Sequence, residues 1–198
     1  MVYLTSYIKK SIRGMWYKME KGKLESYNIV FAGFMGVGKT TVSSHLAKLL
    51  NREVIETDTY IVEKANMDIP SIFDKFGENY FRDLESEAVA EISKKHGVVI
   101  SCGGGAVIRE KNVLKLKESG IIIRLTATPN TVLQRVKDSR ERPILNGHMN
   151  TEFISSLMEK RDSFYSNAAD ITISTDGKTV DEVAKECIEK SILFIESK

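Results

Sequence analysis

The sequence has few cysteines and histidines, and neither residue type has the spacing of a functional site. Its two cysteines, Cys102 and Cys187, show no metal-binding or redox spacing, which predicts free thiols in a reducing compartment. The histidines stand far apart, at His45, His96 and His148. Solvated or packed side chains are therefore expected there rather than metal ligands.

A marked charge excess and a long apolar run are also absent. Lys and Arg number 29 against 27 Asp and Glu, a balance that does not predict nucleic-acid binding through bulk charge. No apolar run approaches the ~20 residues that a bilayer-spanning helix needs. The length of 198 residues and the 42% hydrophobic content suit one soluble globular domain. We expect a cytoplasmic monomer without membrane or nucleic-acid partners.

Residues 1–26 have an unusual composition. They contain no acidic residue before Glu20, several basic ones, and neither the apolar core nor the cleavage site of a secretory signal. Three interpretations are open: a disordered or docking extension, a short organellar signal, or an upstream start with Met15 or Met19 as the initiator. An extension without a catalytic role is favoured, followed by a single domain over residues 27–198.

From Tyr27 onward, strand and helix patterns alternate. Short apolar runs predict five strands, in YNIVFAG, REVIETD, GVVISCGGG, GIIIRLTAT and ADITIST. Amphipathic spacing predicts helices in TTVSSHLAKLL, around Phe81 to Ile92, and in TVDEVAKECIEKSILFI. Such alternation predicts the α/β class, with a five-stranded parallel sheet and helices on both of its faces.

The stretch GFMGVGKTT, residues 33–41, matches the phosphate-loop pattern G-x-x-x-x-G-K-[ST] through Gly33, Gly38, Lys39 and Thr40. It lies between a predicted strand and a predicted helix, which is the context that the motif requires. Glycines allow a close backbone approach, Lys39 can bind the β- and γ-phosphates, and the Thr40 hydroxyl can ligate Mg²⁺. The predicted ligand is a purine nucleoside triphosphate with magnesium.

The remaining sequence excludes several classes of nucleotide-binding protein. It has no N-K-x-D guanine signature and no D-x-x-G after a strand, and the strand GVVIS lacks the acidic end of a usual Walker B motif. The chain is also too small for motor or transporter ATPases. A small-molecule kinase remains.

Three further stretches suit a kinase that acts on a hydroxylated carboxylate. Glu56 and Asp58 alternate at a predicted strand end, which would direct both carboxylates to one side. Arg82 and Glu85 lie three apart on a predicted helix, where Glu85 can orient the guanidinium towards a carboxylate ligand. Three consecutive glycines, 103–105, indicate close contact with a ligand. The alternatives are a helix N-cap at Asp58, a surface ion pair and a plain turn.

Together these motifs resemble the shikimate kinase family of nucleoside-monophosphate-kinase-like P-loop enzymes. The resemblance runs from about Tyr27 to the C-terminus, through GFMGVGKTT, ETD, SIFDKFGENYFRDLESE, SCGGGAVIRE, RERPIL and EKRDSFY. Many families share the P-loop, whereas GENYFRDLE, CGGG and RPIL in this order are specific to very few. The resemblance implies ATP-dependent phosphorylation of the 3-hydroxyl of shikimate, giving shikimate 3-phosphate and ADP in aromatic amino-acid biosynthesis.

The resemblance also implies roles for individual residues. Those expected to bind ATP are Gly36, Val37, Gly38, Lys39, Thr40, Thr41, Arg135 and Arg142. Those expected to bind shikimate are Asp58, Arg82, Gly103, Gly104, Gly105 and Arg161. Asp58, Lys39 and Arg142 are the expected catalytic residues, and Thr40 and Glu56 the expected Mg²⁺ ligands. Glu56 departs from the family, which usually has Asp there; its side chain is one methylene longer.

The polar segment KDSRERPILNGHMN, at about residues 138–150, is expected to form a mobile lid that carries Arg142 over ATP and excludes water. A plain solvated loop is the alternative.

Two other functions are compatible with part of the sequence. One is a gluconate kinase-like enzyme, because gluconate also carries a carboxylate for Arg82 and Arg161. The other is a catalytically silent module that binds nucleotide or a partner protein. The glycine triplet and GENYFRDLE favour shikimate over gluconate, and the intact Lys39, Thr40, Asp58 and Arg142 argue against a silent module.

Overall fold

The computed structural model describes residues 22–137 and 150–198. Arg142, nearly all of the predicted lid and residues 1–21 of the predicted N-terminal extension lie outside the described residues.

Five strands form one parallel sheet in the order β2-β3-β1-β4-β5. They are β1 (Asn28–Ala32), β2 (Val54–Glu56), β3 (Val99–Ser101), β4 (Gly120–Thr126) and β5 (Ile171–Ser174). In the centre, Val30 of β1 pairs with Ile100 of β3 and Ile122 of β4. Every residue of β1 is buried, as expected for a strand whose sheet is covered on both faces. The predicted five-stranded parallel sheet is confirmed.

Seven helices of eight or more residues surround the sheet in the described part of the chain. They are α1 (Lys39–Leu50), α2 (Thr57–Ala65), α3 (Ile69–Ile92), α4 (Glu110–Ser119), α5 (Pro129–Val136), α6 (Thr151–Ala168) and α7 (Val180–Glu196). Helix α1 packs against α7, while α4 packs against β4 and α3. None of the helices within residues 22–137 and 150–198 is both long and apolar enough to cross a membrane.

Helix α3 is longer than its sequence pattern predicts and is interrupted. It begins after Asp68, whose side chain accepts a hydrogen bond from Ser71 N–H at 2.8 Å. Gly77 breaks the helix with φ 81° and ψ 173°, a conformation that is essentially restricted to glycine. The regular segment after this kink carries Arg82 and Glu85.

The packed body of the protein includes residues ahead of Tyr27. Leu24 is fully buried in the core. The Arg52 guanidinium donates to the Tyr27 carbonyl at 3.0 Å and to the Leu24 carbonyl at 2.5 Å. These contacts join the chain before β1 to the start of β2.

The motifs follow the carboxyl ends of the strands. The P-loop follows β1, Glu56 ends β2 and the glycine triplet comes after β3. The connection after β1 leads to β2 on one side of the sheet, whereas the connection after β3 leads to β4 on the other side. Ligands of open α/β sheets bind at such a point, here between the carboxyl ends of β1 and β3.

Candidate active site

The P-loop joins β1 to α1 through a tightly packed turn. Gly33 has φ 137°, and a Cβ atom at this position would overlap the Leu125 carbonyl of β4. Gly38 is the residue before α1, so the unpaired N–H groups of the helix start face the loop. These groups and the positive end of the helix dipole favour an anion here.

Lys39 points into the curve of this loop. Its Nζ atom donates to the Gly33 carbonyl at 2.8 Å and to the Phe34 carbonyl at 3.0 Å. Thr40 and Thr41 follow on the exposed side of the helix start. The amino group is therefore held beside the backbone that would surround phosphate oxygens.

Arg135 connects α5 to the P-loop and to the end of β5. Its Nη1 atom donates to Thr175 Oγ1 at 2.9 Å and, at longer range, to the carbonyls of Gly36 (3.4 Å) and Val37 (3.3 Å). Thr175 is buried and its hydroxyl also contacts the Val37 carbonyl at 3.1 Å.

A cavity of about 150 Å³ lies beside this network. It is lined by residues that include Val37, Gly38, Thr41, Arg135, Thr175 and Lys178. Sequence reasoning missed Thr175 and Lys178. The available signal was their position just after β5, because the carboxyl ends of parallel strands meet at one edge of the sheet.

A second cavity, of about 120 Å³, lies beside Lys39. Its lining includes Lys39, Thr40, Glu56, Asp58, Gly103 and Gly104. Glu56 and Asp58 share this cavity, but alternation along a strand is not the reason. The strand ends at Glu56, which is the N-cap residue of α2, and Asp58 lies in the first turn of that helix. The alternative of Asp58 as the N-cap was also wrong.

The glycine triplet lies against three side chains that were predicted to bind substrate. A Cβ atom at Gly103 would overlap the Asp58 carboxylate, and one at Gly105 would overlap the Arg82 guanidinium. At Gly104 the Cβ position is 3.7 Å from Nη1 of Arg161. The absence of side chains at Gly103 and Gly105 is what lets Asp58 and Arg82 approach the triplet, whereas a Cβ atom at Gly104 would make only an ordinary van der Waals contact with Arg161.

Arg82 is held by two carboxylates of its own helix. Its guanidinium donates to Glu85 at 2.8 Å and to Glu78 at 3.2 Å and 3.3 Å. Burial lowers the pKa of Arg82, but Glu85 and Glu78 outweigh it, so the pKa is raised. Burial raises the pKa of Glu85, whose side chain is 1% exposed, and Arg82 offsets only part of that rise. The arginine stays charged with its fork oriented.

Two residues that sequence reasoning did not select bond directly to the triplet. Thr57 Oγ1 accepts a hydrogen bond from Gly103 N–H at 2.7 Å, and Tyr165 Oη donates to the Gly104 carbonyl at 2.7 Å. Burial raises the pKa of Tyr165, so its hydroxyl keeps its proton at neutral pH. The only sequence signal for Tyr165 was its position one helical turn after Arg161.

Cys102 lies beside the triplet, but its environment does not suit a nucleophile. Its side chain is buried, and burial raises its pKa to about 12. A thiol with that pKa is not ionised at neutral pH. This agrees with the interpretation of Cys102 as a small strand residue.

The second cavity suits a hard cation that also contacts phosphate. Among the described residues there is no group of three or more His, Cys, Asp or Glu side chains that could hold a metal ion alone. However, the Thr40 hydroxyl and the Glu56 carboxylate line one cavity. Mg²⁺ is usually bound by one or two protein oxygens, with phosphate oxygens and water completing its octahedron. The donor set therefore fits Mg²⁺ with a nucleotide.

Comparisons with known proteins converge on one family. A family model described as shikimate kinase matches residues 35–191. Shikimate kinase of Geobacter sulfurreducens is 39% identical over 175 residues, which are 88% of this chain and 95% of that protein. The Caldanaerobacter subterraneus shikimate kinase is 41% identical over 165 residues, 83% of this chain and 96% of that protein.

The fold is similar as well. A structure of shikimate kinase from Acinetobacter baumannii in complex with shikimate superimposes with a TM-score of 0.80 at 35% identity, covering 90% of this chain and 99% of that one. The nucleoside-monophosphate-kinase-like fold predicted from the motifs is thereby confirmed.

Proposed function

The chain belongs to the shikimate kinase family, and from this premise we propose that it transfers the γ-phosphoryl group of ATP to the 3-hydroxyl of shikimate. The products are shikimate 3-phosphate and ADP, on the route to aromatic amino acids. One observation carries the assignment of the site: Asp58, Arg82 and Arg161 all lie against the glycine triplet, next to the cavity that Lys39 lines.

Asp58 is the proposed acceptor of the hydroxyl proton. Its carboxylate lies at Gly103 and lines the same cavity as Lys39, where the hydroxyl and the γ-phosphate would meet. As the hydroxyl oxygen bonds to phosphorus, its proton passes to the carboxylate and ADP leaves from the opposite side.

Arg82 and Arg161 are the proposed ligands of the shikimate carboxylate. Both guanidiniums approach the triplet, at Gly105 and Gly104 respectively. Glu85 and Glu78 hold Arg82 in one orientation. Two guanidinium forks bind a carboxylate strongly and would thereby position the hydroxyl at the other end of the small substrate.

ATP is proposed to bind along the P-loop. The backbone from Gly36 to Thr41 and Lys39 would hold the phosphates, and the cavity beside Arg135 would take the base side of the nucleotide. Family resemblance assigns Arg142 to closing over the phosphates; it lies outside the described residues, so this role is proposed from the sequence.

Thr40 and Glu56 are the proposed protein ligands of Mg²⁺. When bound, the ion would neutralise charge on the phosphate oxygens. Glu56 is one methylene longer than the family's usual Asp, which suits contact through water.

We also propose that the protein is a cytoplasmic monomer. The two cysteines are free and buried. Within the described ranges, the exposed large hydrophobic residues are spread over five elements, β2, α3, α4, α6 and α7. Light scattering coupled to gel filtration tests the monomer, which a dimer mass would contradict.

A coupled assay of ADP release tests the function. Mg·ATP is offered with shikimate, with gluconate and without acceptor, and Lys39→Ala is prepared identically to exclude a contaminating kinase. We expect ADP release with shikimate alone and its loss in the variant. Release with gluconate alone would overturn the assignments of Asp58, Arg82 and Arg161. ATP binding without release in any arm would favour a silent module.

A further inference from the structure

Tyr165 connects the glycine triplet to helix α6. Its side chain is buried, and its hydroxyl donates to the Gly104 carbonyl at 2.7 Å. Arg161 lies one helical turn earlier on α6, and its Nη1 atom and the Tyr165 hydroxyl are both within 4 Å of the Cβ position of Gly104. The bond therefore ties the triplet to the helix that supplies one of the two arginines.

Thr57 makes the corresponding connection to helix α2. It is fully buried, and its hydroxyl accepts from Gly103 N–H at 2.7 Å. The next residue is Asp58, whose carboxylate occupies the space beside Gly103. This second bond ties the triplet to the helix that supplies the proposed proton acceptor.

The triplet needs such external bonds. Three glycines have large backbone freedom in the unfolded chain and no side chains that could hold the loop by packing. Both bonds are part-buried, so loss of either partner removes a favourable interaction, and each bond favours one conformation of the loop.

We propose that Thr57 and Tyr165 are positioning residues of the shikimate site. Through the glycine triplet they set the separation between Asp58, at the hydroxyl end of the substrate, and Arg161, at its carboxylate end. This inference rests on the proposed function. Neither residue needs to touch the substrate, because each acts on the loop between the two helices.

Tyr165→Phe removes only the phenolic oxygen. Loss of one neutral hydrogen bond at the triplet should lower kcat/KM for shikimate about 3- to 10-fold. The KM for ATP should stay within about twofold, because the P-loop does not depend on this bond. The matched control is Tyr60→Phe, which removes a hydrogen bond of the same length, 2.7 Å to Glu91, away from the triplet. The control should keep wild-type kinetics.

At Thr57, one substitution removes the hydroxyl and a second one restores it. Thr57→Val keeps the shape and removes the hydroxyl, so kcat/KM for shikimate should fall by a similar factor of about 3 to 10. Thr57→Ser restores an acceptor and should recover most of the loss. Because both residues act on one loop, the effects of Thr57→Val and Tyr165→Phe should not be additive in the double variant.

Calorimetric titration of each protein with shikimate distinguishes failure of the proposed function from failure of the positioning role. Wild-type protein that neither binds nor phosphorylates shikimate would overturn the proposed function itself. A different result would overturn the inference while the proposed function stands. In that case the wild type is active, and Tyr165→Phe and Thr57→Val melt at lower temperature but keep the wild-type kcat/KM for shikimate. Both residues would then have structural roles only. Should Tyr165→Phe fail to fold, the comparison of Thr57→Val with Thr57→Ser decides alone.

Discussion

At the scale of the residue, the site depends on glycines, because functional side chains occupy the positions where Cβ atoms of the glycine triplet would otherwise lie. The Asp58 carboxylate and the Arg82 guanidinium lie where side chains at Gly103 and Gly105 would be. Each therefore packs directly against the backbone of the triplet. A substitution that keeps the shape and changes only the chemistry is the informative test here.

Asp58→Asn is such a substitution. The amide fits beside Gly103 but cannot take the hydroxyl proton, so kcat should fall about 10²- to 10⁴-fold. The KM for ATP should change little. Steady-state kinetics with both substrates measures this, and Asp74→Asn on the exposed side of α3 is the control. Near-normal turnover in Asp58→Asn would remove its role.

Substitutions of Glu56 test its proposed role as a magnesium ligand. Glu56→Gln keeps the length and loses the charge, so the Mg²⁺ concentration for half-maximal activity should rise several-fold, about 3- to 10-fold. Glu56→Asp should stay within about twofold, because it keeps the carboxylate. The control is Glu53→Gln, which only loses an exposed ion pair with Lys95. An unchanged Mg²⁺ requirement in Glu56→Gln would contradict the assignment.

At the scale of the element, helix α3 is divided by its kink. The segment before Gly77 is capped by Asp68, and the segment after it carries Arg82 and both of its carboxylate partners. Apolar spacing predicted the second segment only. The glycine conformation at the junction, which periodicity does not reveal, separates the segment that carries Arg82 from the segment that Asp68 caps.

Gly77→Ala should therefore be costly even though there is space for a methyl group. Nothing lies within 4 Å of the Cβ position, so the effect comes from the backbone, at φ 81° and ψ 173°. The free energy of unfolding should fall by about 1–3 kcal/mol. Urea unfolding measures it, with Gly22→Ala, also in open space, as the control. Equal stability of the two variants would show that the kink relaxes without strain.

At the scale of the whole molecule, the functional body begins before the first strand. Leu24 is 0% exposed, and Arg52 binds its carbonyl. Residues 1–21 are predicted to have no catalytic role, whereas residues 22–26 contribute to the packed core. The two parts should respond differently to removal.

Deletion of residues 2–21 should leave kcat, both KM values and the free energy of unfolding unchanged. Deletion of residues 2–26 should lower that free energy by about 2–5 kcal/mol, because a buried leucine is lost. Leu24→Ala in the full chain is the matched variant and should reproduce most of the loss. Chemical unfolding of the three proteins checks the prediction, which equal stability of the two deletions would contradict.

The two buried thiols make stability depend on alkaline pH. Burial raises the pKa of Cys102 and of Cys187 from 9.0 to about 12. Above pH 9 the unfolded chain loses protons that the folded chain keeps, so the free energy of unfolding falls as pH rises. The slope approaches about 1.4 kcal/mol per pH unit for each thiol.

Urea unfolding between about pH 8 and pH 10.5 measures this slope. The variant with both Cys102→Ala and Cys187→Ala should show a shallower decline, because the other titrating groups are unchanged. Identical slopes would show that the thiols do not contribute.

The sequence alone determined the local features of this protein. Apolar periodicity located the five strands, helices α1 and α7 and the second segment of α3, and the P-loop pattern located a phosphate site. The glycine triplet indicated a close approach. These inferences succeeded because each depends on neighbours in the chain, where spacing translates directly into direction on a strand or helix.

Only the tertiary structure decided which distant residues meet. Glu56 and Asp58 share a cavity because the chain turns into α2 between them, which strand alternation misrepresented. Tyr165 and Thr57 bond to the triplet from α6 and α2. Lys178 and Arg135 line one cavity although they are distant in sequence. Such contacts depend on strand order and on how helices pack across the sheet. The distances between these residues follow from how the whole core is buried, so they cannot be predicted from the spacing of residues along the chain.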